Sequence, residues 1–216
     1  MTINTAPQQK PAKQPKKPKP AWEKQTASVS RWLHIYLSML CFIVVLFFAV
    51  TGITLNHAEW FDGKEVENKL TGTVPLAWVN TPDTTLIRKM EIVELLRKKY
   101  SVKGYVSDFL IEDNRCSLSF KGPGYSADVF IDRNDGKFKL TELKLGLVAV
   151  LNDLHKGRDT GKGWSWFIDA SAGFLTLVSL TGLVMLFFLK KRRLSGLLVL
   201  IIGGVAAYII YCIWVP

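Results

Sequence analysis

Three long apolar runs dominate the hydropathy pattern of this chain. Residues 37–55, 170–189 and 194–215 contain no Asp, Glu, Lys, Arg or His. They hold 19, 20 and 22 residues, and a helix needs about 20 residues, at a rise of about 1.5 Å each, to cross the hydrocarbon core of a bilayer. The pattern therefore predicts a membrane α-helical protein with three transmembrane helices, at 31–56, 164–189 and 194–215.

A more polar region separates the first two runs and shows two periodicities. After Thr81-Pro82-Asp83, apolar residues in LIRKMEIVELLRKKY recur at intervals of three and four, which is typical of a capped helix. Four later runs alternate as strands do: SVKGYVSDFLIED, RCSLSFKG, YSADVFID and KFKLTEL. Asn134-Asp135-Gly136 predicts a tight hairpin turn between the last two. We expect residues 58–145 to form one small inserted α+β domain, followed by an interfacial segment at 146–163.

Positive charge lies beside the apolar runs and does not form one basic surface. The formal net charge is +10, but residues 58–163 hold 17 basic and 16 acidic residues. The excess lies in residues 1–31 and in Lys190-Lys191-Arg192-Arg193, and such basic flanks stay in the cytoplasm. This distribution argues against a nucleic-acid partner and for membrane lipids. We expect a disordered basic cytoplasmic leader at 1–30, with residues 58–163 and the C-terminus periplasmic.

The common catalytic and disulfide motifs are missing from the sequence. Three cysteines, with no CxxC or CxxCH, exclude a dense disulfide framework, covalently attached c-type haem and a dithiol redox motif. The sequence also lacks HExxH, a Walker loop and GxGxxG. Hydrolase, kinase and nucleotide-binding activities therefore have no recognisable site.

Three segments carry a resemblance to a known family. ADVFIDRNDGKFKL is similar to the end of a PepSY domain, which has a strand, a D-x-x-x-G turn and a further strand. RWLHIYLSMLCFIVVLFFAVTGITLNH and LNDLHKGRDTGKGWSWFIDASAGFLTLVSLTGLVMLF resemble the helices of the PepSY-associated transmembrane family, each with a histidine and a Thr-Gly pair. The resemblance covers residues 31–190 and leaves the third helix outside. Relatives include haem-containing ferric-siderophore reductases of the bacterial inner membrane, so it implies that location and a PepSY-like periplasmic domain.

Only three histidines occur, and all lie at or near predicted membrane interfaces. His34 and His57 lie 23 residues apart, roughly 34 Å along a helix, so they cannot share one metal ion. His57 and His155 both belong to the outer side and could flank one cofactor. Two neutral imidazoles suffice as axial ligands of a b-type haem, whereas zinc asks for about four ligands. The alternative is that these interface histidines only hydrogen-bond to backbone or lipid headgroups.

Small residues and one carboxylate complete the predicted site. Thr51-Gly52 and Thr181-Gly182 would let a helix or a flat cofactor approach closely. Asp169 lies just inside the second helix, where it would orient a histidine, pair with Lys162 or snorkel outward. We therefore predict His57 and His155 as axial ligands of haem b and His34 as a further cofactor-binding histidine. The supporting residues are Asp169, Thr51, Gly52, Thr181 and Gly182.

The resemblance and the histidines together predict an inner-membrane redox subunit. It would hold haem b and pass electrons to a periplasmic acceptor such as a ferric chelate or a flavoprotein, which would make it an oxidoreductase. A homodimer, a redox partner subunit, a quinol or a non-histidine ligand would complete the path at His34. Two alternatives stay open. One is a haem-free anchor whose PepSY-like domain binds a partner protein through a sheet edge in SLSFKG or ADVFID, and the other is an assembly or accessory subunit.

Overall fold

The computed structural model describes residues 20–61, 65–189 and 191–216. Their contacts form two compact units, one with the described residues up to Met39 and Leu175–Pro216, the other with Leu40–Phe174. In chain order the helices and strands are α1 Ala21–Asn56, β1 Val66–Thr73, α2 Lys89–Tyr100, β2 Tyr105–Ile111, β3 Arg115–Gly122, β4 Tyr125–Asp132, β5 Lys137–Lys144, α3 Leu147–Lys156, α4 Lys162–Phe188 and α5 Arg193–Trp214.

Three of these helices, α1, α4 and α5, are long and apolar enough to cross a membrane. α4 and α5 begin and end within two residues of the predicted bounds. α1 begins at Ala21, ten residues before the predicted start. Good helix formers follow Pro20, and Glu23 lies in the first turn, where a carboxylate favours the helix dipole. Residues 21–30 of the predicted disordered leader are therefore helical, and residues 1–19 lie outside the described residues.

The strands form one antiparallel sheet in the order β1-β5-β4-β3-β2. In β3, β4 and β5 every second side chain is buried, as the alternating pattern predicts. Phe120, Phe138 and Leu118 are among the fully buried side chains of this core. Gly136 closes the β4–β5 hairpin at a φ of +71°, a conformation that favours glycine. The predicted turn is confirmed.

The edges of the sheet differ from the prediction. β3 and β4 pair on both sides, so the expectation that SLSFKG or ADVFID offers a free edge is wrong. The edges are β2 and β1, and β1 was not predicted as a strand at all. Its sequence VENKLTGT has no alternating apolar pattern. β1 pairs with β5 along one edge only, and most of its side chains are exposed, so no face of the strand needs apolar residues.

α2 packs on the buried face of the sheet but begins later than its sequence pattern predicts. The chain first makes a short 3-10 turn in which the backbone N–H of Thr85 donates to the side chain of Asp83, and the α-helix starts at Lys89. Ile92 and Leu96 are fully buried in the core. Met90, predicted for the same face, is 73% exposed. The helix therefore buries an apolar face that is shorter than the sequence pattern predicted.

α3 lies in the predicted interfacial segment, where no helix was expected. It follows Gly146 and is capped at its C-terminus by Gly157, which has a φ of +68°, in the left-handed conformation. His155 is in its last turn. The ten-residue helix gives this histidine a fixed backbone, which a loop would not provide.

Candidate functional site

The His155 ring packs against one face of α1. Its Nδ1 lies 2.6 Å from Oγ1 of Thr51, and the Phe48 ring meets it edge to face at 5.1 Å between centroids. A Cβ placed at Gly52 would lie 3.6 Å from Cε1 of His155. Residues 48, 51 and 52 follow helical spacing, so they form one continuous seat for the ring.

The hydroxyl of Thr51 decides which nitrogen of His155 carries the proton. Oγ1 of Thr51 donates its only proton to the carbonyl of Phe47, at 2.6 Å. It therefore accepts from His155, which places the proton of a neutral ring on Nδ1 and leaves a lone pair on Nε2. One turn along, Thr54 donates to Oδ1 of Asn152 at 2.8 Å and ties α3 to α1 a second time.

His34 has the same arrangement in the other compact unit. Its Nδ1 lies 3.1 Å from the carbonyl of Val178 and 3.1 Å from Oγ1 of Thr181. A carbonyl only accepts, and Thr181 donates its proton to Val178 at 2.8 Å, so Nδ1 of His34 is the donor. A Cβ at Gly182 would lie 3.1 Å from Cε1 of the ring. Each Thr-Gly pair therefore receives one histidine.

Buried polar contacts hold α3 in place. Asp153 is 4% exposed; its Oδ2 accepts from the backbone N–H of Gly124 at 2.8 Å, and its Oδ1 accepts two bonds from Arg158 at 2.9 and 2.6 Å. Nε1 of Trp164 donates to the carbonyl of Leu154 at 2.8 Å. These bonds connect the helix that carries His155 to the β3–β4 turn and to the start of α4.

His57 lies in a different environment from the other two histidines. Its ring stacks on Trp60 with 3.9 Å between centroids and 9° between planes, and its Nδ1 is 3.4 Å from Glu59. The side chain is 36% exposed. No hydrogen bond or ring contact joins His57 to His155 in the described ranges, and their pairing on one iron stays a prediction.

Asp169 is exposed and makes no ion pair with Lys162 among the described residues. Both side chains line one cavity beside the turn between α3 and α4, together with Tyr105. Across the part of the chain that the structure describes, no group of three or more His, Cys, Asp or Glu side chains is placed to hold a metal ion.

One known family covers the segment that contains the two histidine seats, the inserted antiparallel sheet and the three apolar helices. The sequence profile of that family matches residues 28–216. The chain belongs to the PepSY_TM-like family. The match includes α5, which the resemblance over residues 31–190 had left outside. Comparison with curated proteins and with solved structures finds no match.

Sequence reasoning missed how the seats of this PepSY_TM-like protein are assembled. The two Thr-Gly pairs were predicted only as places of close approach, whereas each one contacts a histidine from another helix. Asp153 was also missed. The signal was available, because an acidic residue five positions before Arg158 can form a local ion pair, and Asp153 does so.

Proposed function

We propose that this PepSY_TM-like protein is an inner-membrane redox subunit that holds b-type haem and passes electrons to a periplasmic acceptor such as a ferric chelate or a flavoprotein. One observation carries the proposal. The Nδ1–H of His34 lies against a threonine hydroxyl and a carbonyl, and the Nδ1–H of His155 donates to a threonine hydroxyl alone. In the described residues, Nε2 of each ring makes no hydrogen bond, so a lone pair is available to iron.

The residues of the two seats fit axial haem ligands. A histidine that binds a metal donates its other N–H to an oxygen, which fixes the tautomer and raises the basicity of the ligating nitrogen. Thr51 and Thr181 provide this oxygen. Gly52 and Gly182 let each ring lie close to the helix that it packs against. When bound, haem would supply the one-electron redox chemistry.

The chain itself would contribute orientation and a dry environment. The hydrogen bonds from the two histidines fix the direction of each Nε2, and the Phe48 ring restricts the position of His155. Apolar helices around a site lower the local dielectric and exclude water, and both effects set a redox potential. Electron transfer of this kind needs no general base.

His57 remains the sequence-predicted second ligand of the iron at His155, and its geometry makes that role testable. A haem held by both residues would need the His57 and His155 imidazoles to lie close together. Six positions separate Thr51 from His57, about 9 Å of helical rise, and the His57 ring stacks on Trp60. We propose His155 as the ligand that the seat holds in place and test His57 separately.

The orientation of the protein in the membrane follows from its basic flanks. Arg192 and Arg193 lie where α4 passes to α5, and Lys24 and Arg31 lie in the first part of α1. Basic flanks of short connections remain in the cytoplasm. We propose a cytoplasmic N-terminus and a periplasmic sheet domain and C-terminus, with His34 towards the cytoplasm and His155 towards the periplasm.

A spectrum of the purified protein tests this function. The full chain is purified in detergent after expression with added haem, and reduced-minus-oxidised spectra and a pyridine haemochrome count are recorded. We expect b-type bands in the wild type and a loss of haem in His155→Ala and in His34→Ala. His57→Ala tests separately whether the imidazole outside the two seats is a ligand.

The outcomes separate the possibilities. Wild type without haem, despite adequate supply, contradicts the redox function. Loss of haem in His57→Ala as well as His155→Ala supports the paired ligation of one iron by His57 and His155. Haem retained in all three variants contradicts the assignment of ligands.

One observation favours a second candidate, a haem-free anchor or assembly subunit whose PepSY-like domain binds a partner protein. β2 and β1 each have one strand neighbour, so an extended segment could pair with either edge. Function of this kind should survive the replacement of His34 and His155 in cells. It should be lost when proline replaces an outward-facing residue of an edge strand, since proline removes a ladder donor.

A further inference from the structure

An apolar groove runs between α4 and α5, and all of its lining residues belong to one compact unit. Its volume is about 550 Å³, within the usual range for ligand sites of about 300–1,000 Å³. Most of the lining is aliphatic or glycine, and its polar members are Ser179, Arg192 and Ser195. Both helices are long and apolar enough to cross a membrane. The open side of the groove would therefore face acyl chains rather than water.

The length of the groove matches one leaflet of a bilayer. On α4 and just beyond it, the lining extends from Ser179 to Leu189, a helical rise of about 15 Å at about 1.5 Å per residue. The hydrocarbon core of a bilayer is about 30 Å thick, so this length equals about one layer of acyl chains. Arg192 lies three positions beyond Leu189, towards the level of the lipid headgroups.

The connection between α4 and α5 holds Arg192 at the end of the groove. The N–H of Leu189 donates to the carbonyl of Leu186 at 3.2 Å, and the N–H of Arg192 donates to the carbonyl of Leu189 at 3.0 Å. These bonds keep Arg192 close to the end of α4. A Cβ at Gly196 would overlap the side chain of Leu186, so α5 approaches α4 closely just after this connection.

Arg192 is the polar side chain of the groove that remains available to a ligand. Ser179 and Ser195 both donate their hydroxyl protons to carbonyls of their own segments, at 2.9 and 3.1 Å. Arg192 makes no ion pair with any residue that the structure describes. Its neighbour Arg193 lies over the Phe187 ring, 5.4 Å from the centroid, and does not line the groove. The groove thus has an apolar body and one cationic end.

The sequence around the groove contains no acid to balance this cation. Residues 170–216 hold four basic residues, Lys190-Lys191-Arg192-Arg193, and no Asp or Glu. Basic pockets between transmembrane helices bind anionic lipid headgroups, and the fork of an arginine matches two oxygens of a phosphate. The complementary occupant therefore has an apolar chain about one leaflet long and an anionic phosphate at its end.

We propose that the groove between α4 and α5 binds one anionic phospholipid, with an acyl chain along the two helices and the phosphate paired with Arg192. This lipid site goes beyond the proposed redox function and does not depend on it. A second copy of the chain could cover an apolar groove, but in the same membrane it would bring its own basic stretch to the same level. Like charges would then meet at Arg192, whereas a phosphate neutralises it.

The test measures lipid binding to matched variants of the full chain. The protein is purified in detergent, stripped of lipid and titrated with phosphatidylglycerol or with phosphatidylcholine of the same acyl chains, and bound lipid is counted by native mass spectrometry. Arg192→Gln removes the cation of the groove. Its control is Arg193→Gln, which makes the same charge change one residue away and outside the groove.

A second pair of variants tests the apolar body. Val199 lines the groove and is 69% exposed, so Val199→Trp can fill part of the groove without entering a packed core. Its control is Val205→Trp on the same helix, at an exposed position outside the groove. Far-UV circular dichroism and gel filtration check that each variant is folded. If tryptophan at position 199 prevents folding, the arginine pair decides alone.

We expect one tightly bound phosphatidylglycerol per wild-type chain and weaker binding of phosphatidylcholine. Arg192→Gln should weaken phosphatidylglycerol binding by about ten- to hundredfold, which corresponds to the loss of a hydrogen bond to a charged group. Arg193→Gln should change it by less than about threefold, as expected for screened surface charge. Val199→Trp should lower the affinity for both lipids, and Val205→Trp should leave both unchanged.

Other results overturn the inference. Equal losses in Arg192→Gln and Arg193→Gln would show attraction to a basic surface and no site at Arg192. Equal affinity for the two lipids in the wild type contradicts recognition of an anion. Unchanged phosphatidylglycerol binding in Val199→Trp contradicts a chain in the groove. A dimer that resists lipid and dissociates in Val199→Trp identifies a second copy as the occupant. Haem content enters none of these readouts, so failure of the lipid site leaves the redox function standing.

Discussion

A threonine hydroxyl has one proton, and in both histidine seats that proton is already donated to a carbonyl of its own helix. The oxygen can then only accept, which forces Nδ1–H on His34 and on His155. Sequence inspection finds the threonine and the histidine but not this chain of donors. The tautomer is a property of three groups together: a carbonyl, a hydroxyl and an imidazole.

Replacing Thr51 by valine should therefore weaken haem binding at His155. The change keeps the shape of the side chain but removes the acceptor for Nδ1–H, and loss of such a supporting bond costs about 10–100-fold in metal affinity. Thr51→Ser keeps the hydroxyl and should restore most of the affinity. Haem titration measures the effect, and nitrogen NMR of the labelled imidazole in the haem-free protein reports the tautomer directly.

That NMR readout separates two explanations. A mixed tautomer in Thr51→Val with haem affinity unchanged would contradict a ligating role for His155. An unchanged tautomer would contradict the hydrogen-bond argument itself. Thr54→Val is the matched control, because Thr54 bonds to Asn152 rather than to the ring.

A second residue-scale feature is Glu142, a buried carboxylate on β5. Burial raises its pKa, but hydrogen bonds from Lys144, Asn68 and Tyr125 outweigh burial and hold the pKa below the ordinary value. The distances to Lys144 and Asn68 are 2.8 and 3.1 Å. Burial and the bond to Glu142 raise the pKa of Tyr125 to about 12, so this phenol stays a donor.

The sheet should lose stability in acid through Glu142. A carboxyl whose pKa is lowered in the folded state adds stability above its unfolded pKa of about 4.3, and this contribution is lost as the pH falls through the folded value. We expect the urea midpoint of the sheet domain in the full chain to fall between about pH 6 and about pH 3. Glu142→Gln should flatten that slope.

The exposed Glu94, which pairs with Lys98 on α2, provides the control. Exposed helix pairs contribute about 0.3–0.5 kcal/mol, so Glu94→Gln should leave the acid slope unchanged. An equal slope in the wild type and in Glu142→Gln would show that the lowered pKa does not stabilise the pairing of β1 with β5.

At the scale of elements, α3 connects the sheet domain to the histidine seat on α1. Asp153 bonds to the turn at Gly124, and His155, two positions later, bonds to Thr51. The end of α3 is fixed by Gly157, whose φ of +68° favours glycine. The C-terminal part of α3 therefore carries both the contact to the β3–β4 turn and the imidazole, so the position of one constrains the other.

Removing the Asp153 carboxylate should loosen this connection. Asp153→Ala leaves the buried N–H of Gly124 without its acceptor, and an unpaired buried polar group costs about 1–3 kcal/mol. We expect faster amide hydrogen exchange across 147–156 and weaker haem binding at His155. Asp128→Ala is the control, since Asp128 accepts a bond from Ser119 on β3, away from α3. Equal exchange in both variants would contradict the role given to α3.

At the scale of the whole molecule, the proposed topology can be tested with single cysteines. Lys139 on the sheet and Lys24 in the first turn of α1 are exposed. In intact cells an impermeant maleimide should label Lys139→Cys, whereas Lys24→Cys should require permeabilised membranes. Labelling with the reverse pattern would contradict the topology.

The native cysteines interfere little with this measurement. Cys116 is fully buried, and burial raises its pKa, so its thiol stays unreactive. Cys41 is also buried. Only Cys212 is exposed, and replacing it by alanine provides the background for both variants.

The sequence by itself determined the parts of this protein that depend on short-range pattern. The apolar runs indicated α1, α4 and α5, the period of two indicated β2 to β5, and Asn134-Asp135-Gly136 indicated the hairpin. In each case the burial of a side chain follows from its position in a periodic element. The PepSY resemblance rested on the same local motifs and is confirmed by the match over residues 28–216.

Only the tertiary structure decided the pairing of distant segments. β1 pairs with β5 across a separation of about seventy residues, and its mostly exposed side chains carry no apolar period that would indicate a strand. The seats of His34 and His155 join residues 147 and 104 positions apart. A hydrogen bond between such residues depends on how helices pack against each other, which local propensity does not encode. The histidines could therefore be identified from the sequence, but their partners only from the tertiary structure.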